Sequence, residues 1–421
     1  MAAPLFLATA LLLTSFPGAY SGLGINYGTL GDNLPPPAEV ATFLKAASKG
    51  PFSMSTVKLF NTDQNIILAF ANTGIDVIIG MSTADLIELG NRASISAATQ
   101  WVEYNVAPYV PATNIVGIAV GNEVVGTHDK ALIAHIVPAM QNLHLALNSL
   151  NLSTSICVSS PFTLGILHSS VPPSSATFKK PSLMGPLLSF LASNGFPFMA
   201  NVYPFFAYTS DPNPFMLDYA HFNSSTGYTD PLTNLHYTNM FDAQLDAIYS
   251  AIAHLGFTNI SIMVTETGWP SSGDPNQVGV NVHNAEMYTN NLIKHVFSNQ
   301  GTPLRPQQPV DTYIFALFNE DLKPGSTSER NYGLFKPNFT PVYSIVLLDS
   351  AFAVNKSSPS EATVSSKVPP SPPPLVSDSP SSSSASNQFM IAMPWMVPLL
   401  IFVTLIHIER VLHMSFPITK P

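Results

Sequence analysis

Two glutamates stand at the ends of short apolar runs and could do chemistry as a pair. Glu123 closes the segment 120–123 (VGNE), and Glu266 lies in the segment 264–270 (VTETGWP). Only 10% of the residues are charged, and a carboxylate beside buried strands costs desolvation free energy unless it is paired or used. Either glutamate alone could form a structural ion pair. The two together indicate a reactive pair of carboxylates.

Eight short apolar runs alternate with helical patterns over residues 22–353. Most of the runs are almost entirely apolar, which is typical of parallel strands buried on both faces. Eight strand–helix units predict an α/β fold, a (β/α)8 TIM barrel. A doubly wound open sheet is the alternative, but no Gly-rich phosphate-binding turn follows the first run. The runs are Leu23–Tyr27, Ser55–Phe60, Ile75–Gly80, Asn114–Val120, Thr154–Ser159, Phe198–Tyr203, Ile260–Thr265 and Thr312–Leu317.

The order of these runs predicts where the two glutamates lie. Functional groups of such barrels sit at the carboxyl ends of the strands. Glu123 follows the fourth run and Glu266 the seventh, so we expect both carboxylates at the barrel mouth, on nearly opposite strands. Residues 35–37 are prolines that suit a helix start, Asp63 suits a helix N-cap, and Gly74 suits a helix end.

The composition excludes several classes of function. The chain has 16 Lys and Arg against 25 Asp and Glu, a formal net charge of −9, so no basic face is available for nucleic acid. A single cysteine, Cys157, excludes an intrachain disulfide framework and multi-cysteine zinc sites. No HExxH, Walker or GxSxG motif occurs, and the 11 histidines lack ligand spacing. The sequence therefore predicts no metal and no cofactor.

Both ends of the chain have the composition of sorting segments. Residues 1–21 combine an apolar run with small residues before Gly22 and predict a signal peptide. Residues 354–388 are rich in Ser and Pro and predict a disordered stalk. The apolar tail lies in residues 389–421, of which 389–408 are mostly apolar and long enough to cross a bilayer.

The tail predicts a membrane anchor of one of two kinds. Small residues at Ser377, Ser379 and Ser381 resemble a glycosylphosphatidylinositol attachment signal, in which the apolar tail is removed. The chain continues past the apolar run with charged residues such as Arg410, so a single membrane-spanning helix is the alternative. Five Asn-x-Ser/Thr sequons fit a secreted glycoprotein: Asn151, Asn223, Asn259, Asn338 and Asn355.

Four spaced blocks resemble those of a known family. They are 22–28 (GLGINYG), 120–124 (VGNEV), 264–274 (VTETGWPSSGD) and 315–325 (FALFNEDLKPG), the last followed by Glu329 and YGLF at 332–335. In these blocks and their order, residues 22–350 resemble glycoside hydrolase family 17, the plant endo-1,3-β-glucanases. The resemblance implies the same (β/α)8 barrel that the strand count predicts.

The resemblance assigns roles to the two glutamates. Glu123 matches the family's acid/base and Glu266 its nucleophile. A retaining glycosidase needs one protonated carboxyl group and one ionised carboxylate, about 5 to 5.5 Å apart. Glu123 must then start neutral, so its pKa should be raised.

Further positions match family residues around the cleft. The resemblance implies that Asn122 hydrogen-bonds the sugar 2-hydroxyl, and that Tyr27 and Tyr203 line the cleft. It also places a charged cluster near the nucleophile, for which a surface ion network is the alternative interpretation. The cluster comprises Glu320, Lys323 and Glu329.

Aromatic residues are the remaining candidates for sugar binding, because flat rings stack on the apolar faces of pyranoses. Trp269, beside the nucleophile, is the strongest single candidate. A long aromatic segment after the sixth run offers further rings, although core packing is the alternative for any one Phe. Between Tyr203 and Phe241 it contains Phe205, Phe206, Tyr208, Phe215, Tyr219, Phe222, Tyr228 and Tyr237.

One block departs from the family pattern. The second strand of the family commonly reads Val-Arg-Leu-Tyr-Asp-x-Asp, whereas residues 57–63 read VKLFNTD. Phe60 lacks the hydroxyl group, and Asn61 lacks the charge. We expect these differences to alter the cleft rim near the second strand and to leave both glutamates alone.

The sequence thus predicts a monomeric endo-1,3-β-glucosidase that acts on callose-like β-1,3-glucan with retention of configuration. We expect it at the extracellular face of the plasma membrane or in the cell wall, held by its lipid anchor or by a single C-terminal helix. Two alternatives stay open. One is a glucanosyltransferase that passes the glycosyl-enzyme to a sugar, and the other is a non-catalytic glucan-binding wall protein.

Overall fold

The structure, a computed structural model, describes residues 22–49, 53–91 and 95–346. The predicted signal peptide 1–21, the stalk 354–388 and the tail 389–421 lie outside these residues. The predictions made for them therefore stay predictions. Within the three described ranges, no helix combines the length and the apolar character that crossing a membrane requires.

Parallel strands form one curled sheet at the centre of the fold. Its strand order is β5-β4-β3-β2-β1-β11-β10-β7-β6, and every neighbouring pair is parallel. A separate antiparallel hairpin consists of β8 (Tyr228–Thr229) and β9 (His236–Tyr237). The sheet strands are β1 (Leu23–Tyr27), β2 (Met54–Leu59), β3 (Asp76–Met81), β4 (Asn114–Val120), β5 (Cys157–Ser159), β6 (Phe162–Thr163), β7 (Phe198–Asn201), β10 (Ile262–Thr267) and β11 (Asp311–Ile314).

The two ends of this strand order are neighbours in the chain. Only Ser160 and Pro161 separate β5 from β6, and β5 pairs with β4 whereas β6 pairs with β7. Together they act as one interrupted strand that closes the sheet on itself. The result is an eight-stranded barrel, so the predicted (β/α)8 fold is confirmed.

Helices follow the strands and cover the outside of the barrel. The helix Lys130–Ser149 has 20 residues. It follows the N-cap residue Asp129, whose side chain accepts hydrogen bonds from the backbone N–H groups of Ala131 and Leu132. The helices are α1 (Pro37–Ala47), α2 (Gln64–Ala69), α3 (Thr83–Leu89), α4 (Ile95–Asn105), α5 (Lys130–Ser149), α6 (Pro181–Asn194), α7 (Pro204–Ser210), α8 (Pro214–Ala220), α9 (Met240–His254) and α10 (Val282–Phe297).

Several element boundaries differ from the sequence prediction. Asp63 caps α2 as predicted, but that helix ends at Ala69, and Gly74 lies in the turn before β3 with φ at +78°. The sixth predicted strand stops at Asn201, because Pro204 begins α7 two residues after Val202. The aromatic segment after it is not one long loop. It contains α7, α8 and the β8–β9 hairpin.

A glycine in β3 sets how closely the second and third strands approach at the barrel mouth. Gly80 donates its backbone N–H to the carbonyl of Asn61 at 3.3 Å. A Cβ atom built on Gly80 would lie 2.6 Å from the carbonyl carbon of Phe60. This carbon belongs to the backbone, which cannot move aside as the end of a flexible side chain could. Glycine therefore lets the end of β2 sit where Phe60 and Asn61 reach the mouth.

We predict that Gly80→Ala lowers the free energy of unfolding by about 1–3 kcal/mol, because the added methyl group overpacks this contact. Gly126→Ala is the matched control, since a Cβ atom there meets nothing within 4 Å. The control should stay within about 0.5 kcal/mol of the unsubstituted protein. Urea unfolding measures both, and equal stability of the two variants would contradict the packing argument.

Candidate active site

One cleft at the carboxyl ends of the strands contains both glutamates. Its volume is about 490 Å³, within the range of about 300–1,000 Å³ that is typical of ligand sites. Most of the predicted site residues meet there. The lining comprises Gly28, Thr29, Leu30, Phe60, Asn61, Asn122, Glu123, Tyr203, Phe206, Glu266, Phe315, Glu320, Lys323, Glu329 and Tyr332.

Glu266 is held by donors on both carboxylate oxygens. It lies in β10 and is buried, with 6% of its surface exposed. The ammonium group of Lys58 donates to Oε1 at 2.9 Å, and the hydroxyl group of Tyr203 donates to Oε2 at 3.0 Å. The two donors hydrogen-bond both oxygens of the carboxyl group and fix its orientation.

Lys58 reaches Glu266 from β2, across the mouth of the barrel. Its side chain is 1% exposed, its Nζ lies 3.4 Å from Asn26 Oδ1, and the ammonium group sits 3.9 Å from the centre of the Phe60 ring. Burial lowers the pKa of Lys58, and the negative charge of Glu266 opposes that effect. Phe60 and Asn61, the two differences expected to alter the rim, line the cleft, whereas Lys58 of the same block contacts Glu266 directly.

Asn26 ties the strands around this pair together. Its amide Nδ2 donates to the carbonyl of Thr265 in β10 and to that of Ile314 in β11, both at 3.1 Å. Its Oδ1 faces Lys58. All hydrogen-bonding atoms of a fully buried amide are thereby used, and the ammonium group is positioned against rigid backbone.

Glu123 stands just beyond β4 in a left-handed backbone conformation, with φ at +52°. Two backbone hydrogen bonds hold this uncommon conformation: its N–H donates to Pro161 at 3.1 Å, and its carbonyl accepts from Gly126 at 2.9 Å. The chain thus turns sharply after β4, and the carboxyl group is directed into the cleft.

The carboxyl group of Glu123 has a different environment from that of Glu266. Asn201 Nδ2 donates to Glu123 Oε1 at 2.8 Å, and Asn201 Oδ1 accepts from the hydroxyl group of Thr265 at 2.8 Å. Burial and then the negative charge of Glu266 raise the pKa of Glu123 to about 6. The hydrogen bond from Asn201 and the charges of Lys58 and Lys323 act in the opposite direction.

The charged cluster lies on the opposite wall of the cleft. Glu320 accepts the backbone N–H of Leu30 at 2.8 Å, and burial raises its pKa. Lys323 lies 3.4 Å from a carboxylate oxygen of Glu329 and 4.0 Å from the centre of the Phe315 ring. These contacts join the loops after β1 and β11 into one wall.

Two predicted site residues lie outside the cleft lining. Tyr27 is 2% exposed and packs edge-on against Phe318, with ring centres 6.2 Å apart. Trp269 is 1% exposed, and its Nε1 donates to the carbonyl of Gly279 at 2.9 Å. Neither residue lines the cleft, and the prediction that they contact a sugar stays a prediction. Their rings support the barrel from behind, and the rings packed around Trp269 are Phe205, Tyr208, His221 and Tyr288.

The aromatic segment contributes mainly to the core. Phe206 lines the cleft and is 52% exposed, and Phe215 is exposed as well but is not part of the lining. The alternative of core packing holds for the buried members of the segment, which are Phe205, Tyr208, Tyr219 and Tyr237.

Sequence reasoning missed several residues of the site. Lys58 is a charged residue inside an apolar strand, and in a chain with so few charges that position is a detectable pattern. Asn201 closes a buried strand, which is a weaker indication. Nothing in the sequence distinguishes the lining residues Thr29 and Leu30, whereas Asn61 lines the cleft at the rim expected from its block. The described ranges contain no cluster of three or more His, Cys, Asp or Glu side chains suited to a metal ion.

Known proteins resemble this chain over almost all of the barrel. The model of the family described as glycosyl hydrolases family 17 matches residues 23–347. Glucan endo-1,3-beta-glucosidase 7 of Arabidopsis thaliana is 45% identical over 363 residues, which are 85% of this chain and 69% of that protein. Glucan endo-1,3-beta-D-glucosidase of Olea europaea is 42% identical over 376 residues, which are 87% of this chain and 80% of that protein.

Two solved structures have the same fold at substantial identity. CJP38, a beta-1,3-glucanase and allergen of Cryptomeria japonica pollen, is 42% identical with a TM-score of 0.72, over 77% of this chain and 98% of that one. A structure from work on two plant beta-glucan endohydrolases with distinct substrate specificities is 35% identical with a TM-score of 0.69, over 76% of this chain and 99% of that one.

The environment of Glu123 gives a prediction that requires no substrate. Titration of the ¹³C-labelled carboxyl group by NMR should give a pKa of about 6 for Glu123. Asn201→Ala should raise it further, because the lost hydrogen bond favours the ionised form. Asn142→Ala removes a buried asparagine that donates to Leu89 instead, and it should leave this pKa unchanged. A lower pKa in Asn201→Ala would contradict the account.

Proposed function

Because this chain belongs to family 17 of the glycosyl hydrolases, we propose that it hydrolyses internal 1,3-β-D-glucosidic bonds of callose-like β-1,3-glucans. We propose further that it does so with retention of anomeric configuration and as a monomer. The named relatives at 42–45% identity support the choice of glucan.

The observation that carries the mechanism is the unequal environment of two carboxyl groups in one cleft. Glu266 accepts from an ammonium group and a hydroxyl group, which suits an ionised nucleophile. Burial and the neighbouring charge raise the pKa of Glu123, which suits a protonated acid. Retaining glycosidases divide the work between two carboxyl groups in this way.

The reaction then follows in two balanced steps. In the first, a carboxylate oxygen of Glu266 bonds to the anomeric carbon, the glycosidic C–O bond breaks, and Glu123 gives its proton to the leaving oxygen. In the second, Glu123 takes a proton from water as that water attacks the anomeric carbon, and the ester bond to Glu266 breaks. Both carboxyl groups return to their starting states.

The cleft walls supply the binding surface for the polysaccharide. The exposed ring of Phe206 lies next to Tyr203, with ring centres 5.2 Å apart, and Phe60 lines the cleft near β2. These rings offer stacking surfaces for successive glucosyl units. Asn122 is exposed beside Glu123 and lines the cleft, which supports the hydrogen bond to a sugar hydroxyl group that the family resemblance implies.

Hydrolysis of laminarin tests the function directly. We expect release of reducing sugar as a mixture of oligosaccharides, with the β-anomer formed first when products are followed by ¹H NMR. Initial formation of the α-anomer would contradict retention. Products longer than the donor as the main outcome would favour the glucanosyltransferase, and binding without turnover would favour the glucan-binding protein.

Glu123→Gln separates the acid from the nucleophile. On laminarin we expect activity to fall about 10²- to 10⁴-fold, because the leaving oxygen no longer receives a proton. Release of an activated phenol in the first step should be nearly spared, since that leaving group needs no proton. In the unsubstituted protein, kcat/KM on laminarin should fall as the pH rises through about 6, where Glu123 ionises. Equal loss on both substrates would refute the acid role.

We also propose that the protein is secreted and held at the plasma membrane by a lipid anchor. The composition of residues 354–421 supports the anchor. Four sequon asparagines within the described ranges are exposed, which is compatible with glycosylation in the secretory pathway: Asn151, Asn223, Asn259 and Asn338.

Phosphatidylinositol-specific phospholipase C tests the anchor, because it cuts a lipid anchor and leaves a spanning helix intact. We expect the phospholipase to release the enzyme from intact membranes into the aqueous phase. Retention on the membrane, together with survival of an epitope placed after Lys420, would establish the single-helix alternative instead.

A further inference from the structure

The ammonium group of Lys58 contacts Glu266, but neither step of the proposed reaction assigns it a role. It is buried among three partners: Glu266 Oε1 at 2.9 Å, Asn26 Oδ1 at 3.4 Å and the face of the Phe60 ring at 3.9 Å. Only Glu266 carries a compensating negative charge. Any step that removes the charge of Glu266 therefore leaves a buried cation without its counter-ion, which is costly.

The proposed first step removes that charge. Before it, Glu266 is ionised and Glu123 is protonated, so the site holds one negative charge. After it, Glu266 is a neutral ester, and Glu123 has given its proton to the leaving oxygen. The site again holds one negative charge, which now resides on Glu123.

The two carboxyl groups are close enough for one cation to serve both. In the sheet, Glu266 is paired in register with Asn201, and the side chain of Asn201 donates to Glu123 at 2.8 Å. Lys58 acts electrostatically on both glutamates. Lys58 and Glu266 are buried, and Glu123 is half-buried at the cleft, so solvent screens the charges of this group less than it would at the surface.

The other charged or titratable groups that face Glu123 have different partners. Lys323 also acts on Glu123, but it pairs with Glu329 at 3.4 Å, and both side chains are partly exposed. Tyr203 donates to Glu266 and carries no charge. Glu320 lies near Glu266 and accepts from the backbone of Leu30.

We propose that Lys58 is a positioning residue that serves the two carboxylates in turn. It is the counter-ion of Glu266 in the free enzyme and the counter-ion of Glu123 while Glu266 is esterified to the sugar. In the second role it keeps Glu123 ionised, as the base that must take a proton from water. This inference rests on the proposed retaining reaction.

The test isolates the second step. The enzyme is trapped as its glycosyl ester with 2-deoxy-2-fluoro-β-laminaribiosyl fluoride, excess reagent is removed, and recovery of activity is followed in water and with azide. Azide is already an anion and needs no base. In Lys58→Gln we expect recovery by water to slow at least tenfold and to need a higher pH. Recovery by azide should stay within about threefold of that of the unsubstituted enzyme.

Two further variants serve as controls. Lys58→Arg keeps the charge and should recover in water at nearly the unsubstituted rate. Lys45→Gln removes an exposed lysine whose ammonium group contacts only the carbonyl of Asn72, and it should change neither rate. Equal slowing of water and azide recovery in Lys58→Gln, or no slowing of either, would overturn the proposal. Failure of the unsubstituted enzyme to form the ester would refute the proposed function instead.

If Lys58→Gln does not fold, a measurement on the unsubstituted enzyme tests the proposed role of Lys58. ¹⁵N NMR of the Lys58 side chain reports whether the group is an ammonium or an amine. The proposal requires an ammonium in the free and in the trapped enzyme alike. A neutral amine in the trapped enzyme would overturn it, because the loss of the Glu266 charge would then be met by loss of a proton from Lys58.

Discussion

The buried ion pair between Lys58 and Glu266 is the constraint around which this barrel mouth is arranged. Taking two charges out of water costs several kcal/mol per ion in real proteins, and the cost is offset only by good geometry and further hydrogen bonds. The structure supplies both, through Tyr203 on the free carboxylate oxygen and Asn26 on the ammonium group. Lys58 and Glu266 lie on strands separated by β1 and β11, so the pair requires the curvature of the sheet.

The same pair explains why two glutamates in one cleft behave differently. Glu266 has donors on both oxygens and sits opposite a cation. Glu123 has one amide donor, is half-buried and faces the negative charge of Glu266, and burial together with that charge raises its pKa to about 6. Identical side chains thus have unequal environments, as the proposed acid and the proposed nucleophile require. Neighbouring groups, rather than residue type, set the chemistry.

Local patterns in the sequence were sufficient to predict where most strands lie and that the two glutamates stand at strand ends. Apolar runs of strand length and the position of Glu123 and Glu266 after them are properties of short segments. The contact of Lys58 with Glu266 joins residues 208 positions apart, so no local pattern contains it. Trp269 illustrates the converse: it lies three residues from Glu266 in sequence, but the chain turns after β10 and buries its ring behind the cleft. Phe205 and Phe206 are neighbours on α7, yet only Phe206 faces the cleft.

The central claim is that Glu266 forms a covalent bond to the sugar while Glu123 does not. Mass spectrometry of the protein after brief reaction with a 2-fluoro-laminaribioside, followed by proteolysis, identifies the residue that carries the sugar. The account predicts one laminaribiosyl group per chain, located on the peptide that contains Glu266. A label on the peptide that contains Glu123, or turnover of laminarin with no covalent adduct at any residue, would contradict it.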